Sequence, residues 1–332
     1  MNKGLVLVAI LVLTIFLTGC GTTTTVGKTF IGGNDGLRTT FLAGNPPDLT
    51  TDGGTSGFSI VVKAENVGES DIAASDGYVE IWGFDAKTFN WDGTDSSYTI
   101  NEFKKRFSDQ RGFGDNLRGA LRGTDGSVLN GGVATIEFGN LKYLPTIQGE
   151  TTQDFQANIC YKYSTSVAAQ ICVKNNAEQA LGSTDICTVE GEKNPQNSGA
   201  PIHVTSLKES YGGSGKIILT LTIEHVGSGD NFFKDDKLDC NDVESNGDRG
   251  KVKVTFEDIQ VGGETVPVLC PSLDNGYIRL FKDSSGKESN TLYCTITVPE
   301  SSRVVQVPVK AGLSYVYLQH IKKTITLRHI SK

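Results

Sequence analysis

Seven cysteines carry most of the chemistry open to this chain of 332 residues. Cys20 stands alone behind an apolar N-terminal run. The other six, Cys160, Cys172, Cys187, Cys240, Cys270 and Cys294, all lie between residues 160 and 294. An even number in an exported chain points to disulfides, up to three bridges drawn from about fifteen connectivities. Metal binding is the competing use of thiolates. No pair has Cys-x-x-Cys spacing, and only His203, His225, His320 and His329 could complete a site, so neither a metal nor another cofactor is expected. Those four scattered histidines give no Ser/His/Asp arrangement that the sequence supports. A glycosidase carboxylate pair leaves no trace in sequence spacing. No catalytic residue is assigned, and the chain reads as a non-enzyme.

One acidic stretch invites a calcium reading. Between Asp230 and Asp248 stand Asp235, Asp236, Asp239, Asp242, Glu244 and Asp248. Asp242-Val243-Glu244-Ser245-Asn246-Gly247 opens like an EF-hand loop, but its closing bidentate position falls on Lys253, which rejects that motif. A solvated acidic loop is the plainer reading.

The elements that would place these residues begin at the N-terminus. Asn2 and Lys3 precede an apolar run of 13 residues, Leu5 to Leu17, too short for the roughly 20 residues of a membrane-spanning helix. Leu17-Thr18-Gly19-Cys20 resembles the lipobox of prokaryotic lipoproteins. That resemblance implies a signal peptide over 1–19, lipid on the Cys20 thiol, and the membrane as a partner through that lipid. Two acyl chains would hold such a protein stably, at ~0.8 kcal/mol per buried methylene. A Thr-rich tether over 20–29 follows. No Asn-x-Ser/Thr acceptor occurs anywhere.

Composition suits an extracytoplasmic body built of strands. There are 39 glycines, 9 prolines and one methionine, which favours many turns over long helices. The net charge of −7 and the lack of a basic cluster after residue 21 argue against nucleic acid as a partner. We expect an all-β chain of two tandem sandwiches, 30–173 and 199–332, joined by a polar linker over 174–198.

In the first sandwich, Phe58, Ile60, Val62 and Ala64 alternate onto one strand face. Strands are also expected over 37–42, 78–84 and 133–138. Ile100, Phe103 and Phe107 stand at helical spacing, which predicts a short amphipathic helix over 98–111. Segments 155–163 and 168–173 read as a hairpin with Tyr163 facing Ala169 and Cys160 opposite Cys172, close enough to bridge. Cys172 with Cys187 is the competing pair, and Cys270 with Cys294 is expected within the second sandwich.

The second sandwich repeats the first. Ser59 to Gly68 aligns with Ile218 to Gly227, both ending in Glu-x-Val-Gly, and Tyr161-Lys162-Tyr163 matches Tyr315-Val316-Tyr317 at an offset of 154. Strands follow over 251–256, 266–270, 277–281, 292–298 and 304–309, with a final hairpin over 315–328. A strand ending in Asn-Val-Gly, a closing Tyr-x-Tyr, and cysteines in Cys160-Tyr161-Lys162-Tyr163 and Ile171-Cys172-Val173 resemble the immunoglobulin-like, CARDB-type (cell-adhesion-related) modules of archaeal surface lipoproteins. Gly199 to Thr205 resembles the first strand of a second such module. The resemblance implies tethered β-sandwiches at the cell surface and brings no catalytic residues. His225, standing where the first copy has Asn66, departs from the expected Asn-x-Gly turn.

These features favour a structural or adhesive envelope protein whose partner is an envelope protein or glycan. A ligand-binding lipoprotein and an envelope hydrolase are the alternatives. Sandwich loops carry binding, and aromatic anchors dominate binding energy, so Phe103, Phe107 and Phe113 form the expected partner surface, ahead of the acidic loop.

Overall fold

Two strands of 24 residues each, Glu150–Val173 and Val305–Arg328, run antiparallel along their entire length. Glu150 faces Arg328 at one end and Val173 faces Val305 at the other. At about 3.3 Å per residue each strand spans about 80 Å. The computed structural model describes residues 29–90, 103–109, 116–174, 187–213, 215–229, 231–240, 247–299 and 304–330.

Both long strands replace expected hairpins, and the reason is local. Ser164-Thr165-Ser166-Val167 contains no glycine, proline, asparagine or aspartate to turn on, and two of its residues are β-branched. The period-2 pattern therefore runs straight through: Tyr161, Tyr163, Thr165, Val167, Ala169, Ile171 and Val173 are all buried on one face. The segments over 304–309 and 315–328 fuse in the same way into Val305–Arg328, with Val307, Val309, Ala311, Leu313, Tyr315 and Tyr317 inward.

Each half of this pair forms the floor of one sandwich. In the first lobe a four-stranded antiparallel sheet, ordered Leu37–Phe41, Gly57–Asn66, Val133–Tyr143, Phe89–Asn90, lies over it. Phe58, Ile60, Val62 and Ala64 point into the core as their alternation requires, and the Phe58 ring meets Phe155 of the floor at 6.1 Å. Gly77–Trp82 widens the floor beside residues 156–161. In the second lobe the covering sheet contains Ile202–Tyr211, Lys216–His225 and Glu288–Thr297, with short edge strands outside them. Lys251–Phe256 widens that floor beside residues 311–314. The chain is thus two all-β sandwiches that share one continuous sheet.

The repeat seen in the sequence is a pseudo-dyad in the structure. Adding 154 carries Tyr161 to 315 and Tyr163 to 317, while the strand register pairs Tyr161 with Tyr317 and Tyr163 with Tyr315. A register in which every pair sums to 478 is unchanged by that exchange, which places the axis at Lys162 opposite Val316. Two copies related in this way pack as a symmetric dimer would, within one chain.

The helical insertion is not found among the described residues. Lys104–Arg106 is a short strand paired to Gly77–Trp82, with Lys104 opposite Glu80, and Phe107–Asp109 is a single 3-10 turn. Two phenylalanines four residues apart also fit a short strand followed by a turn, and opposite charges across the strand pair favour it. Residues 98–102 and 110–111 lie outside the described residues.

Where the copies meet, backbone spacing leaves no room for a side chain. A Cβ at Gly68 would lie 2.2 Å from Tyr163 Oη and 2.4 Å from the Gly199 carbonyl oxygen, and one at Gly227 would lie 2.4 Å from Pro201 Cβ and 2.5 Å from Tyr317 Oη. Gly68→Ala and Gly227→Ala should each lower the unfolding free energy by about 2–3 kcal/mol, the usual cost of overpacking. Gly139→Ala, where the nearest atom is 3.6 Å away, should be nearly neutral in the same denaturant titration.

Candidate functional site

Four tyrosines fill the waist between the lobes. Tyr161, Tyr163, Tyr315 and Tyr317 project from adjacent long strands onto one face, and their rings pack edge to face at 5.7–6.2 Å. Each hydroxyl is tied to a strand end or turn. Tyr163 donates to Asn66 Oδ1 at 3.0 Å and accepts the Ser70 N–H at 3.2 Å. In the second copy Tyr317 accepts the Gly229 N–H at 2.8 Å and lies 2.8 Å from His225 Nε2. His225 therefore takes the place of Asn66, and its Nδ1 reaches Glu288 Oε2 at 3.1 Å as well.

Tyr161 accepts the Leu37 N–H and donates to Gln319. Tyr315 shares a hydrogen bond with Thr165, whose hydroxyl donates to the Ile202 carbonyl. Burial holds the phenols of Tyr161, Tyr163 and Tyr315 well above their ordinary range. They are held as neutral, hydrogen-bonded phenols across the neutral pH range.

All six cysteines assigned to disulfides are paired. Cys172 bonds Cys187 and Cys270 bonds Cys294. Cys160 bonds Cys240, and the expected link to Cys172 does not form. On one extended strand those two residues stand about 40 Å apart, far beyond disulfide reach. Cys160 faces away from the tyrosines, into a small apolar cluster with Tyr78, Phe233 and Val316. The loop carrying Cys240 closes over that cluster from the second lobe, and its N–H donates to the Tyr78 hydroxyl at 3.2 Å. Burial pushes the Tyr78 phenol up to about 12. A bridge joining positions 80 apart contributes about 4.5 kcal/mol in the chain-entropy account, and it ties one lobe to the other.

The linker is fastened as well. Besides the Cys172–Cys187 bridge, Lys193 Nζ sits 3.0 Å from Glu209 Oε2, which also accepts the Cys172 N–H. Glu209 is buried, and burial raises its carboxyl above the ordinary range.

The expected aromatic surface is not one. Phe103 and Phe107 are 5% and 0% exposed. The Phe103 ring packs on Phe84 at 4.6 Å, and Phe107 lies on the bare backbone of Gly77. Their apolar area is spent in the core, so they anchor no partner. Phe113, Cys20 and residues 241–246 of the acidic loop lie outside the described residues. The described part of that loop is engaged internally: Asp235 accepts from the Tyr277 hydroxyl at 2.6 Å, Lys234 pairs with Asp236 and Lys251 with Asp248. Among the described residues no group of three or more His, Cys, Asp or Glu is placed to hold a metal.

Three places went unsignalled in the sequence. At the outer end of the first lobe, loops over 43–56 and 143–149 meet the C-terminal residues around Asp52. Its Oδ2 accepts the Ile147 N–H at 2.8 Å and lies 2.8 Å from His329 Nδ1. The pair ties these loops to the C-terminal residues. Trp82, Leu49 and Leu144 are exposed at this same end. A polar cleft of about 360 Å³ lies beside the waist, lined by Asp35, Arg38, Thr39, Ser228, Gln319 and His320. A more apolar groove of about 450 Å³ lies beside Phe30, against Val167, Phe256 and Ala311.

No protein-family model matches the chain, and no curated protein matches it. Among solved structures, a serine-rich repeat adhesion glycoprotein from Streptococcus agalactiae aligns over 92% of this chain and 100% of that one, at 8% identity and a TM-score of 0.18. A superposition at that score carries no argument about function.

The Ile147 N–H, with His329 beside it, holds the Asp52 carboxyl below the ordinary carboxylate value of 3.8. Its stabilising contribution is therefore present above that value and is lost as pH falls through the lower folded value. Asp52→Asn should reduce stability at neutral pH, and the gap to the wild type should shrink below about pH 4 in denaturant titrations.

Proposed function

We propose that the chain is a lipid-anchored structural or adhesive protein of the cell envelope. The observation that carries this reading is the clasp between lobes, 24 paired residues and an inter-lobe disulfide, which makes a rigid body suited to presenting surface. Three disulfides fit an oxidising compartment outside the cytoplasm. The lipobox resemblance at Cys20 supplies the anchor, and the CARDB-type resemblance suggests an archaeal host. With Phe103 and Phe107 withdrawn into the core, the partner surface passes to the loop end around Trp82, Leu49 and Leu144.

Ligand binding is a second reading, and the polar cleft at Arg38 and His320 favours it. Its acid, guanidinium, amide and imidazole groups suit a sugar better than an apolar ligand.

One experiment addresses both anchor and partner. Cys20→Ser should move the protein from detergent-extracted membranes to a soluble or unprocessed form, and unchanged membrane partition of processed protein would reject the anchor. In crosslinking pull-downs from envelope extract, Trp82→Ala should deplete the recovered partners while Arg38→Ala leaves them intact. The opposite pattern would favour the ligand-binding reading.

A further inference from the structure

Next to the point where the described chain begins, a hairpin leaves apolar side chains about half exposed among the described residues. Leu121–Arg122 pairs with Val128–Leu129, Leu121 opposite Leu129 and Arg122 opposite Val128, and a turn at Asp125-Gly126 connects them. Leu121, Val128 and Leu129 are 47%, 49% and 58% exposed, although a two-stranded ribbon ordinarily needs packing against something to be stable.

The hairpin is held beside residues 30–32. Ala120, at its base, donates to the Gly68 carbonyl, and the adjoining Glu69 carboxylate accepts the N–H groups of Ile31, Gly32 and Gly199. Arg122 Nη2 reaches the Phe30 carbonyl at 3.4 Å. Thr29 is itself bonded to Gln196. Only nine residue steps separate Thr29 from Cys20 in the sequence, a reach of at most about 30 Å. A membrane holding lipid on Cys20 therefore lies within that distance of Thr29, whose neighbour Phe30 touches the hairpin through Arg122.

We propose that this hairpin rests on the lipid surface as a second, protein-borne contact, a proposal that builds on the anchor reading above. The chemistry fits an interfacial position and not deep insertion. Arg118 is exposed near the hairpin base and suits anionic headgroups, while Arg122 shares the opposite face of the ribbon with Val128. At the tip Asp125 accepts from both the backbone and the hydroxyl of Ser127, bonds that hold its carboxyl ionised, so the tip stays in water and the ribbon lies flat. The apolar groove beside Phe30 opens next to the same exit. A single acyl chain binds only marginally, and a second contact of this kind both strengthens attachment and fixes the body's orientation.

The test uses the full mature chain carrying Cys20→Ser, so that no lipid contributes, in co-sedimentation with vesicles of equal parts phosphatidylcholine and phosphatidylglycerol. Leu121→Ser with Leu129→Ser should lower vesicle partition by about tenfold or more, while Leu269→Ser, an exposed leucine on the second lobe, should leave it unchanged. Thermal unfolding of both variants should match the parent, since none of these side chains is in the core. Equal sedimentation of the double variant and the parent overturns the proposal whatever Cys20 carries. So does a double variant that converts a dimer to a monomer without altering vesicle binding, which would assign the hairpin to a second copy. If Cys20 proves unlipidated in cells yet the tenfold loss is seen, the anchor reading fails and the hairpin contact stands.

Discussion

Backbone pairing between two long strands is the constraint from which the rest of this structure follows. A strand of 24 residues exposes a row of N–H and C=O groups on each edge, and those groups must be paired wherever they are buried. Here one edge of each strand is fully consumed by the other. The remaining edges are shared among Gly77–Trp82, Lys251–Phe256 and short segments including Leu49–Thr51 and Asn231–Phe233. The sheet formed in this way cannot belong to one lobe. Each lobe takes half its floor from each strand, so neither sandwich closes its core without the other copy. The inter-lobe disulfide and the fastened linker reinforce a joint that the backbone already makes.

At the centre of that joint, large side chains meet small ones. The tyrosines need space to lie edge to face, and Gly68 and Gly227 provide it by letting turns approach within contact of the phenol oxygens. The same positions show how two copies diverge without losing geometry. Asn66 and His225 both engage a tyrosine hydroxyl, but the longer imidazole also reaches Glu288. Thr165 and Gln319, related by the offset of 154, bind Tyr315 and Tyr161 with side chains of different length. The waist is a buried, hydrogen-bonded joint between the two copies. It fixes the separation and angle of two loop-bearing ends.

Much of this was legible in the residues, and the gaps have physical causes. Alternation in Phe58 to Ala64 announced its strand because one face is buried and the other wet. The Tyr-x-Tyr offset announced the repeat, and it also contained the dyad, which becomes apparent only when the two copies are set antiparallel. The break expected at Ser164–Val167 does not form, because its two serines are only weak turn residues and no glycine, proline, asparagine or aspartate joins them. Phe103 and Phe107 were ambiguous because a spacing of four is compatible with a helix or with a strand and turn, and burial depends on Gly77 and Phe84, distant in sequence. Cys160 with Cys240 had no local signal at all, since it depends on which strand face the second lobe covers. The Leu121 to Leu129 hairpin did carry a signal, Asp-Gly between apolar residues, that the larger pattern of sandwich strands obscured.

Native-state hydrogen exchange on the intact oxidised chain tests most directly whether the two lobes are one cooperative body. Amides of Val62 in the first lobe, Leu221 in the second and Tyr161 at the waist should merge, as denaturant rises, into one opening with a common free energy and a common denaturant dependence. If Leu221 or Val62 instead opens in a separate, lower-energy step while the other lobe stays protected, the lobes are independent domains and the shared sheet is not what holds them.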